Sequence, residues 1–265
     1  MNQLETLRES LGQCDEIILD ALLMRNRIVE DIMAYKEANG HQILQPEQEA
    51  RQKEWLTKRL EGKRHTAEVQ DVFESIIDNS KRIQARKLFH YNIVLIGFMG
   101  VGKSTISDYL STMFAMDVVE MDQIIAKREG MSISDIFKVY GEQYFRDAET
   151  NLLIEMQSQS NVVISCGGGT PMRECNVVEM KKNGRVILLD AKPETIYERV
   201  KDSHDRPLIE NNKNVPFIAD LMEKRREKYE AAADIIIQTD GKTELEICEE
   251  LIQRLLEMDG KEKLQ

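Results

Sequence analysis

The stretch Gly97-Phe98-Met99-Gly100-Val101-Gly102-Lys103-Ser104-Thr105 decides the fold of the larger part of this chain. It has the spacing G-x-x-x-x-G-K-[ST] of a phosphate-binding loop. Before it, Ile93-Val94-Leu95-Ile96 reads as a buried strand, and after it Ile106 to Phe114 reads as a helix. That order places a curl of backbone N–H groups and the positive end of a helix dipole around phosphate oxygens. Gly97, Gly100, Val101, Gly102 and Thr105 belong to the cradle, Lys103 reaches the β- and γ-phosphates, and Ser104 ligates Mg²⁺. A turn that merely joins a strand to a helix has no need of the Lys-Ser pair.

Working outward, four further short apolar runs follow: Val118–Met121, Val162–Ser165, Val186–Leu189 and Ile235–Ile237. Amphipathic stretches separate them. Near-continuous apolar strands alternating with helices describe an α/β domain with a five-stranded parallel sheet covered on both faces. Upstream of residue 90 the texture is different, with helical periodicity throughout and only Gly12, Gly40, Gly62 and Pro46 as interruptions. Two domains are expected, 1–90 and 91–265, joined within Arg86 to Tyr91, and the tail from Asp259 to Gln265 is expected to fray.

The first domain reads as three helices. In the first, Leu4, Leu7, Leu11, Ile18, Leu22, Ile28/Val29 and Ile32 recur at three- and four-residue spacing with Cys14 and Ala21 in register, ending at Asn39-Gly40. About 36 residues make a helix of over ~50 Å, too long for a 90-residue monomer to cover. The seam calls for a second copy, so a homodimer through the N-terminal helices is expected. Pro46 opens a second helix carrying Trp55, Leu56 and Leu60. A third runs from about Thr66 to Leu88 with Val69, Phe73, Ile76/Ile77 and Ile83 inward.

The chain of 265 residues is 42% hydrophobic, enough for real cores, and its net charge of −11 argues against nucleic acid or an acidic membrane as partner. The four cysteines, Cys14, Cys166, Cys175 and Cys248, are scattered without C-x-x-C spacing, which speaks against a disulfide framework or a zinc site. The N-terminus has no signal-peptide pattern and no run approaches the ~20 apolar residues of a membrane span, so a cytoplasmic protein is expected.

Chemistry-bearing residues cluster after the strands. The second strand ends in Glu120-Met121-Asp122, where carboxylates face the ligand crevice of an open α/β sheet. Then come Gly141-Glu142-x-x-Phe145-Arg146-x-x-Glu149, the turn Gly167-Gly168-Gly169, Arg199, Asp205-Arg206-Pro207-Leu208 and Arg225. Together with the phosphate loop, this set resembles shikimate kinase over roughly residues 92–258. The resemblance implies ATP and Mg²⁺ as cofactors and shikimate as substrate. It also implies that Asp122 binds the hydroxyl to be phosphorylated and takes its proton. Arg146 and Arg225 would grip the shikimate carboxylate, with Gly167, Gly168 and Gly169 lining the substrate. Arg206 would close as a lid arginine and Arg199 would pack near the adenine. The first acid of the pair is usually Asp in that family; here it is Glu120, expected to support the Mg²⁺ shell.

In the helical part, polar residues stand where the seam calls for apolar ones: Arg25, Lys36, Glu49, Ser80 and Gln84. Each alone suits a register-setting polar residue or a snorkelling cation. Five on one bundle suggest a cation-rich polar pocket fit for a small dianion. With Leu7-Arg8-Glu9 and Tyr35-Lys36-Glu37-Ala38 they resemble the all-helical chorismate mutase family over residues 4–88. That resemblance implies rearrangement of chorismate to prephenate. Arg8 would enter the partner's site and bind substrate carboxylates with Arg25. Lys36 and Gln84 would meet the ether oxygen, Glu49 the ring hydroxyl and Ser80 a carboxylate. The family usually shows an Asp-Pro-x-Arg-Glu-like segment; here it reads Gln45-Pro46-Glu47-Gln48-Glu49, without that arginine. The resulting expectation is a bifunctional enzyme of aromatic amino-acid biosynthesis. The alternative is a monofunctional kinase whose helical part only dimerises or senses an effector.

Overall fold

The computed structural model describes residues 2–201 and 214–262. The chain forms two compact units, Met1–Lys87 and Leu88–Gln265.

The first unit is built from α1 (Gln3–Asn39), α2 (Pro46–Leu60) and α3, which runs Thr66–Leu88. Asn2 and Glu5 form a capping box at the start of α1, and the Gly40 N–H closes its end on the Lys36 carbonyl. Its 37 residues span about 55 Å. Only Val29 and Met33 are buried on it, while Leu7, Leu11 and Ile18 each keep more than half of their surface exposed. Val69, Phe73, Ile76, Ile77 and Ile83 of α3 are half-buried. Leu56 of α2, Ala85 of α3, and Ile43 and Leu44 of the loop before α2 complete the small core.

The second unit holds β1 (Asn92–Ile96), β2 (Asp117–Glu120), β3 (Val162–Ser165), β4 (Gly184–Asp190) and β5 (Ile235–Gln238). All pair in parallel, in the order β2-β3-β1-β4-β5. Every residue of β1 and β3 is buried, without the alternation of a half-exposed strand, so both faces of the sheet centre are covered. The helices are α4 (Lys103–Phe114), α5 (Met121–Glu129), α6 (Ile133–Met156), α7 (Glu174–Lys182), α8 (Pro193–Val200), α9 (Val215–Ala232) and α10 (Glu244–Glu262).

Two details depart from the sequence reading, and a third, at Gly141, adds to it. Met121, expected at the end of the second strand, instead opens α5, its side chain wholly buried. Gly141 breaks the helical path of α6 with φ 84° and ψ 165°, a conformation that a side chain would resist. The C-terminus does not fray at Asp259: α10 continues to Glu262, and Asp259 accepts a hydrogen bond from the Tyr91 hydroxyl at 2.7 Å and pairs with Arg185.

β1 and β3 are neighbours, yet the chain leaves β1 toward β2 on one side and leaves β3 toward β4 on the other. This is the switch point of the sheet, where a crevice opens beyond the strand ends. The phosphate loop follows β1 and the triple glycine follows β3, so topology brings both to the same crevice.

Candidate active sites

The phosphate loop surrounds a cleft of about 680 Å³, lined also by Glu120, Asp122, Gly167, Arg199 and Thr239. Gly97 has φ 143°, and a Cβ there would lie 2.3 Å from the Leu189 carbonyl oxygen, so no other residue fits. Lys103 Nζ donates to the carbonyls of Gly97 (2.9 Å) and Phe98 (3.2 Å), placing its charge over the loop. Ser104 stands in the first turn of α4, and its hydroxyl donates to Glu120 Oε2 at 3.2 Å. The buried Ser107 donates to Glu120 Oε1 at 2.7 Å, fixing the carboxylate from the other side. Arg199, expected near the adenine, donates to the Val101 carbonyl at 2.8 Å and so latches α8 onto the loop.

Asp122 sits in the first turn of α5, facing the glycine turn across the cleft. A Cβ on Gly167 would lie 2.6 Å from Asp122 Oδ1 and 2.9 Å from Glu149 Oε1. Bare backbone at Gly167 is therefore what lets the two carboxyls approach. Glu149 is fully buried, accepts from the Thr170 hydroxyl and pairs with Arg146 at 2.8 Å. Burial pushes the Glu149 carboxyl above its ordinary range, a rise that Arg146 and Thr170 only partly offset. Burial would lower the Arg146 pKa, but pairing with Glu149 and Glu142 outweighs it and leaves the guanidinium firmly charged.

Arg146 and Arg225 come together with Gly169 around a second recess of about 330 Å³. The Arg146 guanidinium lies flat on Gly169, where an added Cβ would be 2.3 Å from Nη1. Arg225 donates to the Gly168 carbonyl at 3.2 Å, and the Tyr229 hydroxyl donates to the same oxygen at 2.6 Å. Arg226, beside it in sequence, is exposed and pairs along its own helix with Glu223. Arg206 lies outside the described residues.

In the helical unit, Arg25 of α1 donates to the buried Ser80 hydroxyl of α3, and burial lowers the Arg25 pKa. Lys36 Nζ donates to the Ile43 carbonyl at 2.8 Å. Gln84 is half-buried, one turn beyond Ser80 on the same face of α3. Glu49 of α2 pairs with Lys81 at 2.8 Å. Arg8 is exposed on α1, about 25 Å along the helix from Arg25. It is thus not brought to the pocket residues of its own chain.

Sequence reasoning missed several of these groups. Ser107, Thr170 and Tyr229 act through side-chain hydrogen bonds that no spacing announces. Thr239 and Lys242 reach the cleft from the turn after β5, a segment without a motif. Lys81 is one position off the apolar face of α3, so seam counting passes over it.

Residues 99–256 match the family model for shikimate kinase. The chain is 43% identical over 164 residues to a shikimate kinase of Persephonella marina, covering 98% of that protein and 62% of this chain. The chain belongs to the shikimate kinase family. Residues 7–85 match the family model for chorismate mutase type II, so a chorismate mutase domain precedes the kinase. Among solved structures, the kinase domain is similar to a shikimate kinase from Acinetobacter baumannii in complex with shikimate. That match has 29% identity and a TM-score of 0.58, covering 66% of this chain and 96% of the other. A shikimate kinase from Aquifex aeolicus matches at 37% identity and a TM-score of 0.55, covering 64% of this chain and 98% of the other. Among the described residues, no helix is long and apolar enough to cross a membrane.

Proposed function

We propose that this chain phosphorylates shikimate to shikimate 3-phosphate with ATP in its second unit and rearranges chorismate to prephenate in its first. The observation that carries the kinase half is the joint placement of the phosphate loop, Asp122 and the Arg146–Arg225 pair around one glycine turn.

In the kinase, ATP phosphates fit the loop amides and Lys103. The hydroxyl of Ser104 and the carboxylate of Glu120 are hard oxygen donors held side by side, a set that suits Mg²⁺. When bound, Mg²⁺ neutralises charge on the β- and γ-phosphate oxygens. Two planar guanidiniums, Arg146 and Arg225, receive the shikimate carboxylate, and the backbone of Gly167–Gly169 lines the ring. Asp122 orients the acceptor hydroxyl and takes its proton as the hydroxyl oxygen bonds to the γ-phosphorus and the bond to ADP breaks. Arg206 is assigned the lid role and Arg199 holds the loop that holds the nucleotide.

In the mutase, the reaction is a pericyclic rearrangement that needs no nucleophile or metal. It needs a compact substrate and cations where negative charge develops. Arg25 and Ser80 receive a carboxylate, Lys36 and Gln84 the ether oxygen, and Glu49 the ring hydroxyl. The exposed seam of α1 fits a second copy, which would carry Arg8 into the pocket and make the protein a homodimer. A cytoplasmic enzyme is in keeping with this reading.

The test is independent loss. Asp122→Asn is expected to abolish shikimate phosphorylation and leave mutase activity unchanged, and Lys36→Ala is expected to do the reverse. Loss of both activities in a folded variant of either kind contradicts two separate sites.

A further inference from the structure

The helical unit holds a charged group that the pocket described so far does not use. Lys81 follows Ser80 directly and precedes Gln84 by three residues, so its side chain stands beside that of Gln84 on the surface of α3. That side chain keeps only 12% of its surface exposed, and its ammonium lies 2.8 Å from Glu49 Oε2 across the α2–α3 junction. Lysine is seldom so covered, because removing an ammonium from water is costly unless an anion meets it.

Charge counting gives that ammonium a purpose. Within one chain, Arg25, Lys36 and Lys81 set three cations against the one carboxylate of Glu49, a surplus of two positive charges before the Arg8 that a second copy would bring. Chorismate carries two carboxylates. Without Lys81 the surplus falls to one. On α2 the residue before Glu49 is Gln48, exposed and neutral, and Arg51, one turn on, is exposed and paired with Glu47. The flexible stem of lysine lets the ammonium leave one carboxylate for another without moving the helix.

We propose that Lys81 is a substrate-binding cation of the mutase pocket, one that exchanges Glu49 for a carboxylate of chorismate and supplies the charge that Gln48 lacks. This rests on the mutase reading above. The rival role for the pair is a structural staple between α2 and α3.

The experiment measures chorismate consumption by the purified full-length chain and its variants, with thermal unfolding and shikimate phosphorylation followed in the same preparations. Lys81→Met keeps the volume and removes the charge. It is expected to raise KM for chorismate and to cut kcat/KM by about ten-fold or more, the scale of one lost charge-assisted contact. Lys81→Arg is expected to stay within about three-fold of the parent, and adding Gln48→Arg to Lys81→Met is expected to recover part of the loss. Lys81→Gln serves as a second neutral variant if the methionine disturbs folding. Neutral variants that keep parental kcat/KM overturn the proposal and leave the mutase reading standing. So does a loss that tracks the melting temperature and is not recovered by arginine at either position. A parent chain that converts no chorismate overturns the mutase reading itself, and the proposal with it.

Discussion

Replacing Gly169 by alanine separates the carboxylate clamp from the rest of the kinase. Gly169 has φ −99° and ψ −13°, a conformation alanine adopts freely, so the backbone is not strained. The new Cβ would lie 2.3 Å from Arg146 Nη1 and 2.5 Å from its Cζ. Carbon needs about 3.5 Å, so the guanidinium must retreat by about 1 Å. It has little room, because it is tied to Glu149 and Glu142 at 2.8 Å each. On the proposed placement, a displaced guanidinium loses its charge-assisted bonds to the shikimate carboxylate, worth about 1.5–3 kcal/mol. That corresponds to an increase of about ten- to a hundred-fold in KM for shikimate. The assay is ADP release coupled to NADH oxidation, with each substrate varied in turn. KM for ATP and the mutase activity are expected to stay at the parental level, because the phosphate loop is untouched. An unchanged KM for shikimate refutes the placement of the substrate carboxylate on Arg146. An equal rise for ATP shows instead that the whole glycine turn has collapsed.

Lys103→Ala is expected to lower kcat/KM for phosphorylation by at least about two orders of magnitude with mutase activity intact, measured on one preparation. Gly97→Ala is expected to destabilise the kinase unit rather than alter its kinetics, since the obstacle is the Leu189 carbonyl at 2.3 Å; a calorimetric transition at the parental temperature contradicts this. Glu149 titrates above the ordinary carboxylate value of 4.5 in the folded chain because of its burial. The folded state therefore holds more protons than the unfolded state between 4.5 and that raised pKa, and the Glu149 contribution to stability falls as pH rises through this window. Melting curves from pH 4 to 8 for the parent and Glu149→Gln are expected to diverge, with the variant declining less; parallel curves refute the assignment. Leu11→Glu with Ile18→Glu is expected to halve the solution mass by light scattering, and a parent chain that is already monomeric at micromolar concentration contradicts the proposed seam.

The kinase fold was legible because its signals are local. A glycine loop that demands positive φ, strands apolar on both faces and helices between them all agree in the one sequence. The glycine turn was legible as a place of close approach, but not what approaches: that Gly167 spares Asp122 and Glu149, and Gly169 spares Arg146, depends on side chains 18 or more residues away. The place of Met121 is not legible in sequence, because an apolar residue at a strand end and one at a buried helix start look alike. Nothing local in the sequence shows the bonds of Asp259 to Tyr91 and Arg185, so the tail carries no signal of its order. In the helical unit, periodicity exposed the polar residues that interrupt the seam, Arg25, Ser80 and Gln84. It could not expose Lys81, whose place beside Glu49 follows from how α2 lies on α3. The unfilled face of α1 was legible from length alone, since a helix of that span outruns its own partners.

The central claim is that one chain carries two separate active sites of aromatic biosynthesis. The most direct measurement incubates the purified full-length protein with shikimate, ATP and Mg²⁺, and separately with chorismate, and identifies the products by mass spectrometry. The expected result is shikimate 3-phosphate and ADP in the first reaction and prephenate in the second. Phosphorylation without any prephenate contradicts the account of the helical unit, and no turnover of shikimate contradicts the account of the kinase.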